Sequence, residues 1–393
     1  LPNFLIFMNT TTRVILVRHG QSIYNERGLY QGCCDDSFLT EKGRLTAYQT
    51  GISLSSIPLD VVYSSPLQRA RETASELLNA IATIADTHLE LHIHQNLKEI
   101  DLPAWNGLSF KYVREHLAED YRCWRERPHE FQMATEIDDD SPVSNSVVTL
   151  VKPQNFPVQN LYRQAQNFWE EILPKYAGKT ILIITHGGTI KALISTALGM
   201  KCQDFHTLQQ SNCGISILSF AGAEYAAELE AMNLTNHLGE ILPKLKEGKQ
   251  GLRLLLVPAD NHNDVYTDNI ARIIEQTALD FCLNSEGENS AKMAEKLIRS
   301  HPKPTVQLSI STERFMQTWH QTISGRSHQN SSLCTGLVVA EIGEIRGALN
   351  QVLGLPTQQQ SLKVQPGTIN ILHYPASAKY PVLQAMNLSG KIS

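Results

Sequence analysis

Two runs of consecutive apolar residues each break off at His-Gly. Residues 13–20 read RVILVRHG, and residues 180–188 read TILIITHGG. Four or five β-branched and leucine residues without polar alternation suit a strand covered on both faces, the condition of the central strands in an α/β sheet. A glycine directly after the histidine lets the backbone turn sharply and brings its N–H groups close to a ligand. In open α/β sheets ligands gather at the C-terminal edge of the strands, where both histidines stand. A chain with two such strands has little freedom of fold class.

The rest of the pattern agrees with α/β. The spacing predicts a helix over 39–54, a strand over 60–65 and a helix over 66–81. After the second histidine, Ile190, Leu193, Ile194, Ala197 and Leu198 share one helical face that Gly199 ends. This β, α, β, α order predicts a layered α/β sandwich. A chain of 393 residues has room for two cores. With 34 Lys and Arg against 39 Asp and Glu, the net charge is −5 and attracts neither nucleic acid nor an anionic membrane. Any anion site must be local. The seven cysteines form no C-x-x-C pair, which predicts a reduced, cytoplasmic setting. The opening LPNFLIFMNTTTR is too short to span a bilayer and reads as a tail before the first strand, with Met8 a candidate start.

Singly, His19 and His186 each read as a turn residue or a satisfied core imidazole. At equivalent strand ends they read as a pair. Arg18 stands immediately before His19, and Arg69 lies in SSPLQRARETA at a helix start, where backbone N–H groups also favour anions. Arg71 in the same string reads as a surface arginine. Two arginines and two histidines around one point would hold a phosphate dianion by charge-assisted hydrogen bonds. No metal-ligand spacing occurs, so no metal and no cofactor are expected.

Five strings in order, RHG with Asn25 six residues beyond the histidine, QGCCDDSFLTEKG, SSPLQRARETA, LKEIDLPAWNG and THGG, resemble the motifs of the histidine phosphatase, or phosphoglycerate mutase-like, superfamily. The resemblance covers about 13–235. YRCWRERPHEF and QQSNCGISILSF resemble the cyanobacterial and chloroplast branch, which includes metal-independent phosphoserine phosphatases and 2-carboxy-D-arabinitol-1-phosphatase-like proteins. The resemblance implies that His19 is the nucleophile, forming a phosphohistidine that water hydrolyses, with its other ring nitrogen held by a backbone carbonyl. It implies that Arg18, Arg69 and His186 bind the phosphoryl oxygens, that Glu99 is the proton donor, and that Asn25, Gln31, Gly32 and the Gly187 N–H are further contacts. Asp101, two residues from Glu99, competes for the proton-donor role.

The expected activity is hydrolysis of a small phosphomonoester carrying a carboxylate. A phosphoglycerate mutase is the alternative within the family; mutases usually carry Gly-Trp where this chain has Gly32-Cys33. A non-catalytic phosphometabolite sensor is the alternative outside it. The segment 103–160 reads as the specificity insert. Its Arg114, Arg122, Arg125, Arg127 and His129 form either a solvated charged face or a reach toward a substrate carboxylate.

The second half reads as an echo of the first. RLLLVPAD (253–260) follows RVILVRHG, GLVVAEIGEIRGALNQVLG (336–354) aligns without gaps on 181–199, and AMNL recurs at 231 and 385. Leu283 and Gly287 pair with Leu39 and Gly43 in this reading, and Arg314 and Thr318 with Arg69 and Thr73. The chemistry is lost: Pro258, Ala259 and Glu341 stand for Arg18, His19 and His186. The expected organisation is a three-layer α/β/α phosphoglycerate mutase-like catalytic domain over 1–245, then a shorter, degenerate, inactive repeat over 251–393. A second copy of the chain is a candidate partner.

Overall fold

The computed structural model describes residues 11–134, 154–222, 225–259, 264–299, 301, 306–310, 314–326 and 332–389. The tail with Met8, the acidic run 136–140 and Asp260 fall outside the described residues. The first half runs β1 (Thr12–Arg18), α1 (Ile23–Arg27), α2 (Glu41–Leu54), β2 (Val61–Ser64), α3 (Gln68–Ala85) and β3 (Leu91–Ile93). Then come α4 (Phe110–His116), α5 (Ala118–Glu126), the small ribbon β4 (Met133–Ala134) and β5 (Gln154–Asn155), α6 (Pro157–Lys175), β6 (Thr180–Thr185), α7 (Gly187–Leu198), β7 (Ile215–Ala221) and β8 (Ala226–Leu234). The second half runs β9 (Gly251–Pro258), α8 (Asp264–Ile274), β10 (Phe281–Ser285), α9 (Glu288–Ile298), β11 (Val306–Ile310), α10 (Phe315–Arg326), β12 (Leu333–Ala340), α11 (Ile342–Val352), β13 (Ile369–Pro375) and β14 (Val382–Leu388).

Twelve strands form one sheet in the order β11-β10-β12-β9-β13-β14-β8-β7-β1-β6-β2-β3. Read from either edge, the order has the same plan. In each half the first strand pairs in parallel with the strand before the helix carrying the 187–198 or 342–352 face, and antiparallel with the strand on its other side. Alternate residues of β1 point to opposite sides: Val14 and Leu16 into the core under α6 and α7, Ile15 and Val17 into the core under α2 and α3. In the second half, α10 and α11 cover the first of these faces and α8 and α9 the second. Helices on both sides of a mixed sheet, parallel at its two ends and antiparallel across its middle, make the α/β/α sandwich that the uninterrupted apolar runs predict.

The halves meet where β14 lies antiparallel to β8, with Met386 opposite Met232. Same faces, mirrored order and an antiparallel junction together describe a pseudo-two-fold axis normal to the sheet. The recurring AMNL string lies at this seam. Asn233 and Asn387 both have positive φ, 53° and 57°, a conformation Asn tolerates better than most residues. Each reaches across: Asn233 Nδ2 donates to the Gln384 carbonyl at 2.6 Å, and Asn387 Nδ2 to the Glu230 carbonyl at 2.6 Å. Their side-chain oxygens accept from the Ser211 N–H at 2.6 Å and the Gln365 N–H at 3.0 Å.

Strand register corrects two of the pairings made between the halves on sequence. Leu283 pairs with Val338 inside β10, as Tyr63 pairs with Ile183 inside β2, so Leu283 answers to Tyr63 and not to Leu39. The helix after β10 then places Asn289 at the position of Arg69 in α3. Arg314 immediately precedes α10, which occupies the place of α6. Short strings such as L-x-x-x-G recur by chance, whereas the gap-free match at 336–354 carries a whole strand and helix face. The insert's helical stretch is two helices broken at Leu117, whose φ of −119° and ψ of 45° are not helical.

Replacing Asn387 or Asn233 by Ala removes buried hydrogen bonds on both sides of the seam. Each change is expected to lower stability by about 1–3 kcal/mol in a denaturant titration, more than replacing the exposed Asn79.

Candidate active site

Parallel pairing of β1 with β6 puts Arg18 level with Thr185, and the His19 N–H donates to the Thr185 carbonyl at 2.8 Å. The two strand ends therefore stop together, with the His19 and His186 rings 5.2 Å apart. Both imidazoles are buried. His19 Nδ1 lies 2.8 Å from the Gly20 carbonyl. A carbonyl only accepts, so Nδ1 carries the proton and Nε2 is left with its lone pair. Burial first, then the charges of Arg69 and Arg18, hold the His19 pKa well below 6.5. Burial and Arg69 do the same for His186, whose Nε2 is 2.7 Å from the Ser65 hydroxyl.

Arg69, in the first turn of α3, is 1% exposed. Its Nη1 and Nη2 donate to the Cys34 and Gly32 carbonyls at 2.9 and 2.8 Å. The loop carbonyls thus aim a guanidinium whose Nε is buried without a partner. Arg18 is arranged alike: Nη1 donates to the Gln210 carbonyl at 2.9 Å, and Nε is again buried without a partner. Two orphaned Nε–H donors beside two neutral imidazoles suit an anion.

Glu99 sits at the N-terminus of α7. Its carboxylate accepts from the Gly188 N–H at 3.1 Å, the Thr189 N–H at 3.2 Å and its neighbour Ile100 at 2.9 Å. A Cβ on Gly188 would lie 2.4 Å from Glu99 Oε1, so any side chain there would displace the carboxylate from its N–H donors. Asp101 accepts from the Cys33 thiol at 2.9 Å and does not line the cavity, which removes it as the competing carboxylate.

The cavity, of about 250 Å³, is lined by Arg18, His19, Asn25, Gln31, Gly32, Arg69, Glu99 and Gly187 among others. His186 stands behind His19. Every residue singled out in the sequence for phosphate chemistry is thus brought to one place. None of Arg114, Arg122, Arg125, Arg127 and His129 from the insert lines it. Arg122 pairs with Glu119 at 2.5 Å, Arg127 with Glu130 at 2.9 Å, and Arg125 with Glu247.

Sequence reasoning passed over several residues here. Asn212 Nδ2 lies 3.0, 3.2 and 2.9 Å from the His19 and Gly20 carbonyls and Asn25 Oδ1, tying the loop after β1 together. Thr73 accepts from the Gly20 N–H at 3.0 Å. Lys191, Lys246, Gln210 and His206 line the cavity. Burial lowers the Lys191 pKa to about 8. Thr73, Lys191, Gln210 and Asn212 lay inside quoted strings without being singled out for the site; Lys246 and His206 lay outside them.

The histidine phosphatase superfamily (branch 1) model matches residues 14–234, more than half of the chain, and the chain belongs to that superfamily. Among curated relatives, a 2-carboxy-D-arabinitol-1-phosphatase of Triticum aestivum is 35% identical over 209 residues, 53% of this chain and 37% of that one. Phosphoserine phosphatase 1 of Hydrogenobacter thermophilus is 30% identical over 230 residues, 58% of this chain and 95% of that one. The chain thus spans well under half the length of the plant relative it matches. A crystal structure of phosphoserine phosphatase from Entamoeba histolytica in complex with 3-phosphoglyceric acid aligns at 26% identity and a TM-score of 0.44, over 58% of this chain and 99% of that one. Among the described residues no helix is long and apolar enough to cross a membrane.

Arg69→Gln removes a positive charge that disfavours the imidazolium. The His19 pKa, followed by NMR of the labelled ring, is expected to rise toward 6.5 in that variant. In the unmodified protein the ring is expected to stay in its neutral, Nδ1-protonated form at pH 6.5.

Proposed function

We propose that the first half is a metal-independent phosphatase that hydrolyses a small phosphomonoester carrying a carboxylate, through a phosphohistidine on His19. The observation that carries this reading is the buried His19 ring, its Nδ1 bound to the Gly20 carbonyl and its Nε2 bare beside two arginines with orphaned donors. In the first step Nε2 attacks phosphorus, the P–O bond to the alcohol breaks, and Glu99 gives the departing oxygen a proton. In the second, water attacks phosphorus, Glu99 takes its proton, and the N–P bond breaks to release phosphate. Arg18, Arg69 and His186 offset charge on the phosphoryl oxygens in both steps. Asn25, Gln31, Gly32 and the Gly187 N–H complete the cradle. The names of the wheat and Hydrogenobacter relatives both denote substrates that combine a phosphomonoester with a carboxylate, which supports the substrate class.

The half over 251–393 is read as a degenerate copy without activity. Supporting this, the Ala259 N–H donates to the Ala340 carbonyl at 2.8 Å, the same bond that His19 makes to Thr185. The strand end is kept while Pro258, Ala259, Asn289 and Glu341 stand at the positions of Arg18, His19, Arg69 and His186. Glu341 brings a negative charge in place of an imidazole, and its side chain caps α11.

In buffer with EDTA, the protein is expected to release phosphate from p-nitrophenyl phosphate and His19→Ala is not. Turnover by neither protein on any small phosphomonoester would favour a sensor, and net transfer of phosphate between positions of phosphoglycerate would favour a mutase. Glu99→Gln is expected to lower kcat by about 10²–10⁴-fold while inorganic phosphate still inhibits at a similar concentration. Because the free His19 is neutral well below its ordinary value, any loss of kcat/KM caused by its protonation is expected only below pH 6.5.

A further inference from the structure

Part of the cavity wall comes from outside the family domain. Lys246 and Glu247 lie on the linker between the halves and Val382 on β14, all beyond residue 234. Four cationic side chains line the cavity, Arg18, Arg69, Lys191 and Lys246, against two carboxylates, Glu99 and Glu247. Neither carboxylate is available to the lysines as a close partner. Glu99 is taken up by the N–H groups of α7, and Glu247 by the Arg125 guanidinium.

Arg18 and Lys246 both donate to one neutral acceptor, the Gln210 carbonyl. The Lys191 ammonium lies 5.1 Å from the centre of the Phe205 ring and has neither a hydrogen bond nor an ion pair among the described residues. The Gln210 side chain, 3% exposed, has its Nε2 buried without a partner. A phosphoryl dianion answers the two arginines. Two lysine side chains and a buried amide donor remain, and such groups suit a further anion through charge-assisted hydrogen bonds.

We propose that Lys246 and Lys191, with Gln210 Nε2, form a second anion subsite that receives the carboxylate of the substrate while the phosphoryl group lies against His19. This rests on the phosphatase reading above and deepens it. The volume of about 250 Å³, just below the usual range for ligand pockets, suits a molecule of a few carbons with an acid at each end. The second half fixes the linker that carries Lys246. Ser377 donates to the Glu247 carbonyl at 3.0 Å, Lys379 pairs with Glu126 at 3.0 Å, and the Arg125 guanidinium lies 5.1 Å from the centre of the Tyr380 ring. The degenerate half thereby acts as a specificity element for the first. Of the insert's arginines, which the sequence offers for this role, Arg122, Arg125 and Arg127 are paired with carboxylates, and Arg114 does not line the cavity.

The test compares kcat and KM of the full chain on 3-phosphoglycerate, on glycerol 3-phosphate, which has no carboxylate, and on fructose 1,6-bisphosphate, which has a second phosphoryl group instead. The unmodified protein is expected to prefer 3-phosphoglycerate to glycerol 3-phosphate by at least about tenfold in kcat/KM. Lys246→Met and Lys191→Met should each reduce that preference by about tenfold or more, chiefly through KM, and Lys246→Arg should restore part of it. A preference for the bisphosphate that both Met variants abolish keeps the anion subsite and overturns the carboxylate assignment. An unchanged ratio in both Met variants overturns the subsite. If the unmodified protein turns over neither these three nor p-nitrophenyl phosphate, the phosphatase reading fails; whenever 3-phosphoglycerate is not turned over, its calorimetric binding decides the subsite separately. Weaker binding by Lys246→Met supports it; equal binding, or none by either protein, overturns it.

Discussion

The parallel pairing of β1 with β6 is the constraint on which the rest depends. It makes two strands end at the same level, and one backbone bond, His19 N–H to the Thr185 carbonyl, sets the height of both imidazoles. Once the rings are adjacent and buried, neither can be protonated cheaply beside two guanidinium groups. The neutral histidine pair is therefore a consequence of strand register and burial. The helix ends carrying Arg69 and Asn25, and the loop carrying Gln31, have only to close over that fixed pair.

That register was legible in the sequence because an uninterrupted apolar run has one use in a sheet covered on both sides. His19 and His186 announced themselves as histidines one residue beyond such runs, each followed by glycine, and Arg69 as a cation in the first turn of a helix that follows a strand. Lys246 announced nothing: it is one lysine in the string PKLKEGKQG, and only the fold of the chain beyond the family domain brings it and Arg18 to one carbonyl. Asn212 stood inside the string QQSNCGISILSF, but nothing in the string shows that its side chain ties three oxygens together.

The repeat illustrates how far strings can be trusted. AMNL proved informative because both copies carry an asparagine with positive φ that crosses the seam, a backbone requirement few residues meet. Leu283 with Gly287, and Arg314 with Thr318, rested on two letters each and on no such requirement. The register of β10 reassigned them. What persists between the halves is what the sheet needs, and what differs is concentrated at the strand ends.

The β8–β14 seam has a further consequence. An exposed edge strand can recruit a second molecule, and such pairing weakens as the protein is diluted. Here the complementary edge is carried on the same chain, so its local concentration is set by the linker and is independent of how much protein is present. A companion that cannot leave needs no chemistry of its own to be retained. It need only keep its edge matched and hold one lysine in reach of its neighbour.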